Sequence, residues 1–376
     1  MNQNNFLEFI DSKTLFYDKI DYEVINKAWR ILENHVKIPY IIHIIGTNGK
    51  GTTGRFIASF LYQNSKKTLH YTSPHIEKFN ERIWVNNRLI KDEELQNTHQ
   101  FFLSIFPSNI IEQLTYFEYT TLMAIYLSSG FDYLVLEAGL GGEFDATNVV
   151  DNNLTVIPSI GLDHMDFLGN TIEKIASTKL RSCDDKYIFG IDTPQEVLNL
   201  KKTLLKTKKE ITINRQLLLV DQEKLPQYLQ NNLVLALSVL DYLHLYSKDL
   251  KIDLIEGRFE KFRKNITIDV GHNPLAASMV QKELKTKKIN LIYNSYKDKD
   301  YKEILSILKN NIAKVYVIEC DDERMEDKFI MLEYIKTLNL ECDFFSQGIL
   351  NTKDEFLVFG SFKVVETFKK MVINEK

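Results

Sequence analysis

The sequence predicts an α/β protein of two domains, each built on a mostly parallel sheet. Three observations lead there. Short apolar runs alternate with longer amphipathic ones along most of the chain. One run, "YIIHII" (Tyr40–Ile45), feeds a glycine-rich turn and then an amphipathic stretch. The alternation restarts after "LKIDLIEGRFE" (Leu250–Glu260), where a second sheet is expected to begin.

In order, "YIIHII" reads as a buried strand ending at the glycine loop. "GRFIASFLYQN" (Gly54–Asn64) reads as a helix, with Phe56, Ile57, Phe60 and Leu61 on one stripe. "YFEYTTLMAIYLSS" (Tyr116–Ser129) is a helix that feeds the apolar strand "FDYLVLEAG" (Phe131–Gly139). "LTVIPSIG" (Leu154–Gly161) and "YIFGID" (Tyr187–Asp192) are further strands, and "NNLVLALSVLDYLHL" (Asn231–Leu245) is a strongly apolar helix. The second half reads as strand "ITIDV", a helix from Pro274 to about Leu284, strand "INLIY", helix "YKEILSILKN", strand "VYVIE", helix "KFIMLEYIKTL", strand "EFLVFG" and helix "FKVVETFKKM". Repeated strand–helix units of this length imply parallel sheets covered on both faces. The boundary is expected within the polar, turn-like "YSKDLKIDLIEG", giving domains 1–250 and 251–376.

The composition narrows the function. The 376 residues are 26% charged and 44% hydrophobic, ordinary for a globular protein with ample core. A net charge of −4 gives no global basic field, so no nucleic-acid partner is expected and any anion site must be local. Cys183, Cys320 and Cys342 are scattered and fit neither a disulfide framework nor a zinc site. "MNQNNFLEF" has no basic or apolar leader region, and no apolar run reaches membrane-spanning length. A cytoplasmic protein is the expectation.

The stretch "HIIGTNGKGTTGRF" (His43–Phe56) departs from the phosphate-loop pattern G-x-x-x-x-G-K-[ST]. Ile44 stands where the first glycine belongs, and Gly51 separates Lys50 from the hydroxyl of Thr52. The mechanism survives the departure. Unpaired amides at a helix start point at an anion. Gly46, Gly49 and Gly51 allow dihedrals and close approach that a Cβ would block. Lys50 supplies charge, and Thr52 or Thr53 can put a hydroxyl on Mg²⁺. The plain alternative is a glycine-rich turn before a helix.

"GTNGKG[ST]" resembles the loop of one group within the Mur ligase superfamily, and the extra glycine resembles the folylpolyglutamate synthase/dihydrofolate synthase family. Further segments resemble that family in its own order: "TSPHIEKFNERI" (Thr72–Ile83), "TYFEYTTLMA" (Thr115–Ala124), "LEAGLGGEFDATN" (Leu136–Asn148) and "GLDHMDFLG" (Gly161–Gly169). "GRFE" (Gly257–Glu260), "DVGHNPLA" (Asp269–Ala276), "KDKD" (Lys297–Asp300) and "VFGSF" (Val358–Phe362) follow. The resemblance covers nearly the whole chain. It implies an N-terminal P-loop ATPase domain with a mostly parallel sheet and a smaller Rossmann-like C-terminal domain.

It also implies the chemistry. A carboxylate is a poor electrophile, so ATP first phosphorylates it and the amine of L-glutamate then attacks the acyl phosphate. Phosphoryl transfer is mostly positioning and charge neutralisation. The loop Gly46, Thr47, Asn48, Gly49, Lys50, Gly51 and Thr52 is the implied ATP site. Glu137, at the end of an apolar strand, is the implied Mg²⁺ ligand with Thr52; a solvated strand-end carboxylate is the alternative. His164 is implied to bind a second Mg²⁺ near Lys179, which the resemblance implies is carbamylated. Around Lys179 the family's E-K-A-G is replaced by T-K-L-R. Arg258 is implied to reach the ATP phosphates, Asp269 and His272 the ribose and base side, and Asn232 the adenine, unless it caps its helix. Ser73, Pro74, His75 and Arg82 are the implied acceptor site. Phe79 and Trp84 could stack there but are more simply core. Asp298 and Asp300 could orient Arg258 or receive glutamate, or simply form a charged turn.

The expected protein is therefore a monomeric ligase. It joins L-glutamate to 7,8-dihydropteroate and extends tetrahydrofolates, with ATP and two Mg²⁺ as cofactors and no macromolecular or membrane partner. Another Mur-type amino-acid ligase, or a P-loop NTPase without ligase activity, are the rivals.

Overall fold

A computed structural model describes residues 4–13 and 22–373. The chain divides into two compact units: Met1–Gln222 with Leu229–Asp253, and Glu223–Tyr228 with Leu254–Lys376. Each unit is an α/β structure around one sheet.

The first unit carries eight strands: β1 (Tyr40–Ile44), β2 (Thr68–Tyr71), β3 (Ile83–Val85), β4 (Arg88–Leu89), β5 (Tyr133–Glu137), β6 (Leu154–Ile157), β7 (Lys186–Phe189) and β8 (Lys209–Glu210). Their order is β4-β3-β2-β5-β1-β6-β7-β8. From β2 to β8 all neighbours run parallel; only β3 and β4 are antiparallel additions. The central strands are buried on both faces, which is why they read as continuous apolar runs. Ile41, Leu69, Leu134 and Leu136 join one core with Tyr119, Leu122 and Met123 of the helix Tyr116–Leu127. That helix starts on a capping box. Thr115 Oγ1 accepts from the Glu118 amide, and the Glu118 carboxylate accepts from the Thr115 amide at 2.9 Å.

The expected strand Tyr40–Ile45 is β1, and the expected helix Gly54–Asn64 begins four residues sooner, as Lys50–Gln63. β2, "TLHY", gives no apolar run of its own, yet it sits between β3 and β5.

The second unit carries β9 (Glu260–Arg263), β10 (Ile266–Ile268), β11 (Ile289–Tyr293), β12 (Ile312–Val317), β13 (Glu341–Phe344) and β14 (Phe356–Phe359). Their order is β13-β12-β11-β14-β10-β9, with only β9 antiparallel. Leu291, Tyr293, Val315, Val317, Leu357 and Phe359 pack with helix residues Ala277, Val280, Ile304, Leu305 and Met331. The helix Pro274–Leu284 opens with proline, and Asn273 caps it by accepting from the Ala276 amide at 2.9 Å. In both sheets the outer strands are short or charged: β4 and β8 have two residues each, and β9 reads EKFR.

Candidate active site

The glycine loop leaves the C-terminal end of β1 and enters the helix Lys50–Gln63 with no intervening turn. Gly49 is the helix's N-cap residue at φ 82°, left-handed backbone that glycine adopts without penalty. A Cβ there would also lie 2.7 Å from Asn232 Oδ1. Gly46 has φ 147°, and its Cβ would lie 2.8 Å from the Ser159 carbonyl. Gly51 differs from expectation: it lies inside the first helical turn and takes no left-handed conformation.

The loop is strapped to the segment that follows β6. The Thr47 amide donates to Ser159 O (2.8 Å), and the Thr47 hydroxyl donates to Gly161 O (3.0 Å). The Asn48 amide donates to Ser159 Oγ (3.1 Å), whose hydroxyl donates back to Asn48 O (2.9 Å). The Thr47 amide and hydroxyl and the Asn48 backbone thus hold the loop's shape. The helix start and Lys50, half-buried with its ammonium 3.3 Å from Thr47 O, are left to face an anion.

Glu137 ends β5 in register with Ile44 of β1, so its carboxylate stands beside the root of the loop. It is buried and accepts a hydrogen bond from the Thr72 hydroxyl. Thr52 is buried in the first turn of the loop's helix. Lys179, in the last turn of the helix Ile172–Leu180, is 3% exposed. Its amine donates to Gly46 O (3.0 Å) and Gly141 O (3.2 Å). Burial pushes it down to about 7, and the nearby Lys50 charge adds to the shift, against Asp145 and Asp163. His164 adopts left-handed backbone at φ 50°, with Nε2 4.0 Å from Asp163 Oδ2. The structure therefore gathers Gly46, Thr47, Lys50, Glu137 and Lys179 around the loop, and ties the segment leading to His164 to it through Gly161.

Asp145, within the segment Leu136–Asn148, also belongs to this neighbourhood. Its carboxylate accepts from the Leu140 and Thr147 amides (3.0 Å each) and from the Thr147 hydroxyl, shaping the loop after β5. Burial raises its pKa. Aspartate two residues before threonine is an Asx-turn pattern, a signal legible in the sequence. Ser159 carried no such signal.

Among the described residues no group of three or more His, Cys, Asp or Glu gathers as a metal centre. The hydroxyl of Thr52 and the carboxylate of Glu137 suit a Mg²⁺ that takes its remaining ligands from phosphate and water. An imidazole and an amine do not suit a second Mg²⁺; a carbamate oxygen on Lys179 would correct that.

At the proposed acceptor side, Ser73 and Pro74 are joined by a cis peptide. Arg82, 7% exposed, donates from Nε to His75 Nδ1 (2.8 Å), with its guanidinium 5.0 Å from the Tyr116 ring centroid. Glu81 accepts from the Ile76, Glu77 and Lys78 amides and fixes this segment. Phe79 is core, packed on Phe6; Trp84 is core, against Tyr62 and Arg55. Asn232 is no cap: it lies in the second turn of the helix Gln227–Tyr242, against Gly49.

In the second unit Asp269 is buried beyond β10. Its carboxylate accepts from Tyr228 Oη (2.7 Å), the Phe259 amide (3.0 Å) and the Gly271 amide (2.7 Å). The guanidinium of Arg258 lies 5.1 Å from the Phe362 ring centroid, and His272 lies 6.4 Å from the same ring. Asp300 caps the helix Tyr301–Leu308, and Asp298 pairs with Arg324 at 3.5 Å.

The first unit is a mostly parallel sheet with a glycine loop at the carboxyl end of β1, and residues 44–203 match the Mur ligase middle domain. Over most of its length the chain is similar to the dihydrofolate synthase/folylpolyglutamate synthase of Haemophilus influenzae: 30% identical, with 89% of each chain covered. It is 34% identical to the crystal structure of Helicobacter pylori folylpolyglutamate synthetase, with TM-score 0.78 and 99% of each chain covered. Escherichia coli FolC, solved in complex with DHPP and ADP, is 25% identical with TM-score 0.81, covering 99% of this chain and 98% of that one. The chain belongs to the dihydrofolate synthase/folylpolyglutamate synthase family.

Proposed function

We propose that this protein joins L-glutamate to 7,8-dihydropteroate and adds further glutamate to tetrahydrofolates, using ATP and an acyl-phosphate intermediate. The observation that carries the reading is the strapped loop. A left-handed Gly49 and a helix opening at Lys50 present amides and an ammonium to a triphosphate.

In this reading the acceptor carboxylate attacks the γ-phosphorus and ADP leaves. The glutamate amine then attacks the acyl carbon, phosphate leaves, and the nitrogen loses a proton as the amide forms. Lys50 and the amides at the start of its helix hold the β- and γ-phosphates, and Arg258 neutralises charge on the transferred group. Asn232, Asp269 and His272 orient the nucleoside. His75 and Arg82, with Ser73 and Pro74, bind the acceptor.

Thr52 and Glu137 would hold a first Mg²⁺, and His164 with Lys179 a second; these ions supply charge neutralisation at the phosphates. Lys179 is the residue to carry the carbamate. Held down to about 7, a large share of its amine is neutral at pH 7 and can bond to CO₂ with release of one proton. A bare ammonium at Lys179, seen at high resolution with Mg²⁺ bound, would remove that part of the reading. The reading takes the chain as a cytoplasmic monomer acting on small molecules alone.

The test is ADP release with ATP, Mg²⁺ and glutamate, with dihydropteroate or tetrahydrofolate as acceptor, and product mass as the second readout. Acceptor-dependent ADP and a mass gain of one glutamate are expected. ATP hydrolysis indifferent to both acceptors would favour an NTPase.

A further inference from the structure

Arg258 is flanked by two residues in left-handed backbone, Gly257 at φ 71° and Phe259 at φ 48°. Phenylalanine is strained there, and such strain persists only where the surroundings impose it. Three bonds fix the arm itself. The Gly257 amide donates to Glu260 Oε2 (2.7 Å), the Phe259 amide to Asp269 Oδ2 (3.0 Å), and the Val270 amide to Gly257 O (3.0 Å).

Behind the arm stands Lys369. Its side chain is 4% exposed, and its ammonium lies 2.6 Å from Glu256 Oε2 and 3.8 Å from Glu260 Oε2. Those two carboxylates bracket residues 257–259, so one buried charge draws the ends of the arm together. Phe362, under the Arg258 guanidinium, is seven residues before Lys369 on the helix Phe362–Ile373, two turns away on the same face. One helix face thus supports both the tip and the root of the arm. A buried ammonium is a poor source of stability, because it must leave water to meet carboxylates of which one, Glu256, stays largely in solvent. What it secures is geometry.

We propose that Lys369 is a positioning residue for Arg258, holding the Glu256–Glu260 arm in the one shape from which the guanidinium acts. This rests on the reading that Arg258 meets the transferred phosphoryl group. Removing the ammonium loosens the arm without touching the groups that grip ATP.

The experiment compares Lys369→Met, Lys369→Arg and Glu260→Gln in the glutamate-ligation assay. For Lys369→Met a fall in kcat of about tenfold to a hundredfold is expected, with KM for ATP unchanged within about twofold. Lys369→Arg should recover part of it. In an Arg258→Ala background, Lys369→Met should cost nothing further, since it acts through the missing guanidinium. Amide exchange without nucleotide should quicken at Gly257 and Phe259 and stay unchanged in β11, β12 and β14.

An unchanged kcat, a full additional loss on top of Arg258→Ala, or faster exchange throughout the second unit would each overturn the proposal. If Lys369→Met does not fold, Glu260→Gln carries the same tests: it keeps an acceptor for the Gly257 amide and deletes the charge. Wild-type protein that ligates glutamate to neither acceptor overturns the functional reading and this proposal with it. Active wild type with an unaffected Lys369→Met overturns this proposal alone.

Discussion

Gly49 and Lys50 show how much two adjacent residues decide. Gly49 is asked for a backbone angle of 82° and for empty space beside Asn232. Alanine supplies neither, so Gly49→Ala should cost about 1–3 kcal/mol of stability, read as a lower urea midpoint, and should abolish ADP binding by calorimetry. Lys50→Ala keeps the loop's shape, since the straps run through Thr47 and Asn48 to Ser159 and Gly161. It should lower turnover by on the order of 3 kcal/mol in transition-state stabilisation while the urea midpoint stays put. Single-turnover ADP release separates the two variants: one loses the site, the other its charge.

At the scale of single elements, β1 couples the core to pH. His43 faces the same side as Ile41 and bonds Thr147 Oγ1 at 2.8 Å, fully enclosed. Burial pulls it down to about 4, below the ~6.5 of an unfolded histidine. Between those values the unfolded chain binds the proton and the folded one does not, so stability falls as pH falls from about 6.5 to about 4. The cost over that window is about 3 kcal/mol. His43→Gln should flatten the dependence of unfolding free energy on pH there, measured by urea titration at a series of pH values; an unchanged slope would contradict it.

The same strand shows what a sequence exposes. β1, its loop and its helix are legible because each has a local cause: a continuous apolar run, a cluster of glycines, an apolar stripe at helical spacing. β2 and β13 are not, because "TLHY" and "ECDF" owe their strand character to neighbours already in place. Likewise the loop's partners lie far off in sequence, Ser159 111 positions from Asn48 and Lys179 133 from Gly46, where no spacing rule reaches. Asn232 resembles a helix head in the sequence because the helix's first turn, Gln227 to Gln230, is largely polar and hides where the helix opens.

Taken whole, the chain divides its tasks between two sheets. Lys50 and the helix-start amides proposed to grip the triphosphate, with Thr52 and Glu137 proposed to hold its metal, all belong to the unit Met1–Gln222, whereas Arg258 belongs to the other. Arg258→Ala should therefore lower kcat by 10-fold or more while ADP affinity changes by less than about threefold, the signature of a contact made only in the transition state. A loss confined to ADP affinity would contradict that role. The alternation of apolar and amphipathic runs announced both sheets. Nothing in the composition of residues 223–228 marks that they group with the second.

The outer strands of those sheets have a bearing on how the protein behaves when crowded. A stray unfolded chain seeking to zip onto a folded copy meets two residues of open backbone at β4 or β8, glutamate, lysine and arginine along β9, and two carboxylates within the four residues of β13. None of these four edges is long or greasy enough to seed a growing fibril. The native form is thus a dead end for templated aggregation, and losses during overproduction should trace to chains that have not yet closed their sheets.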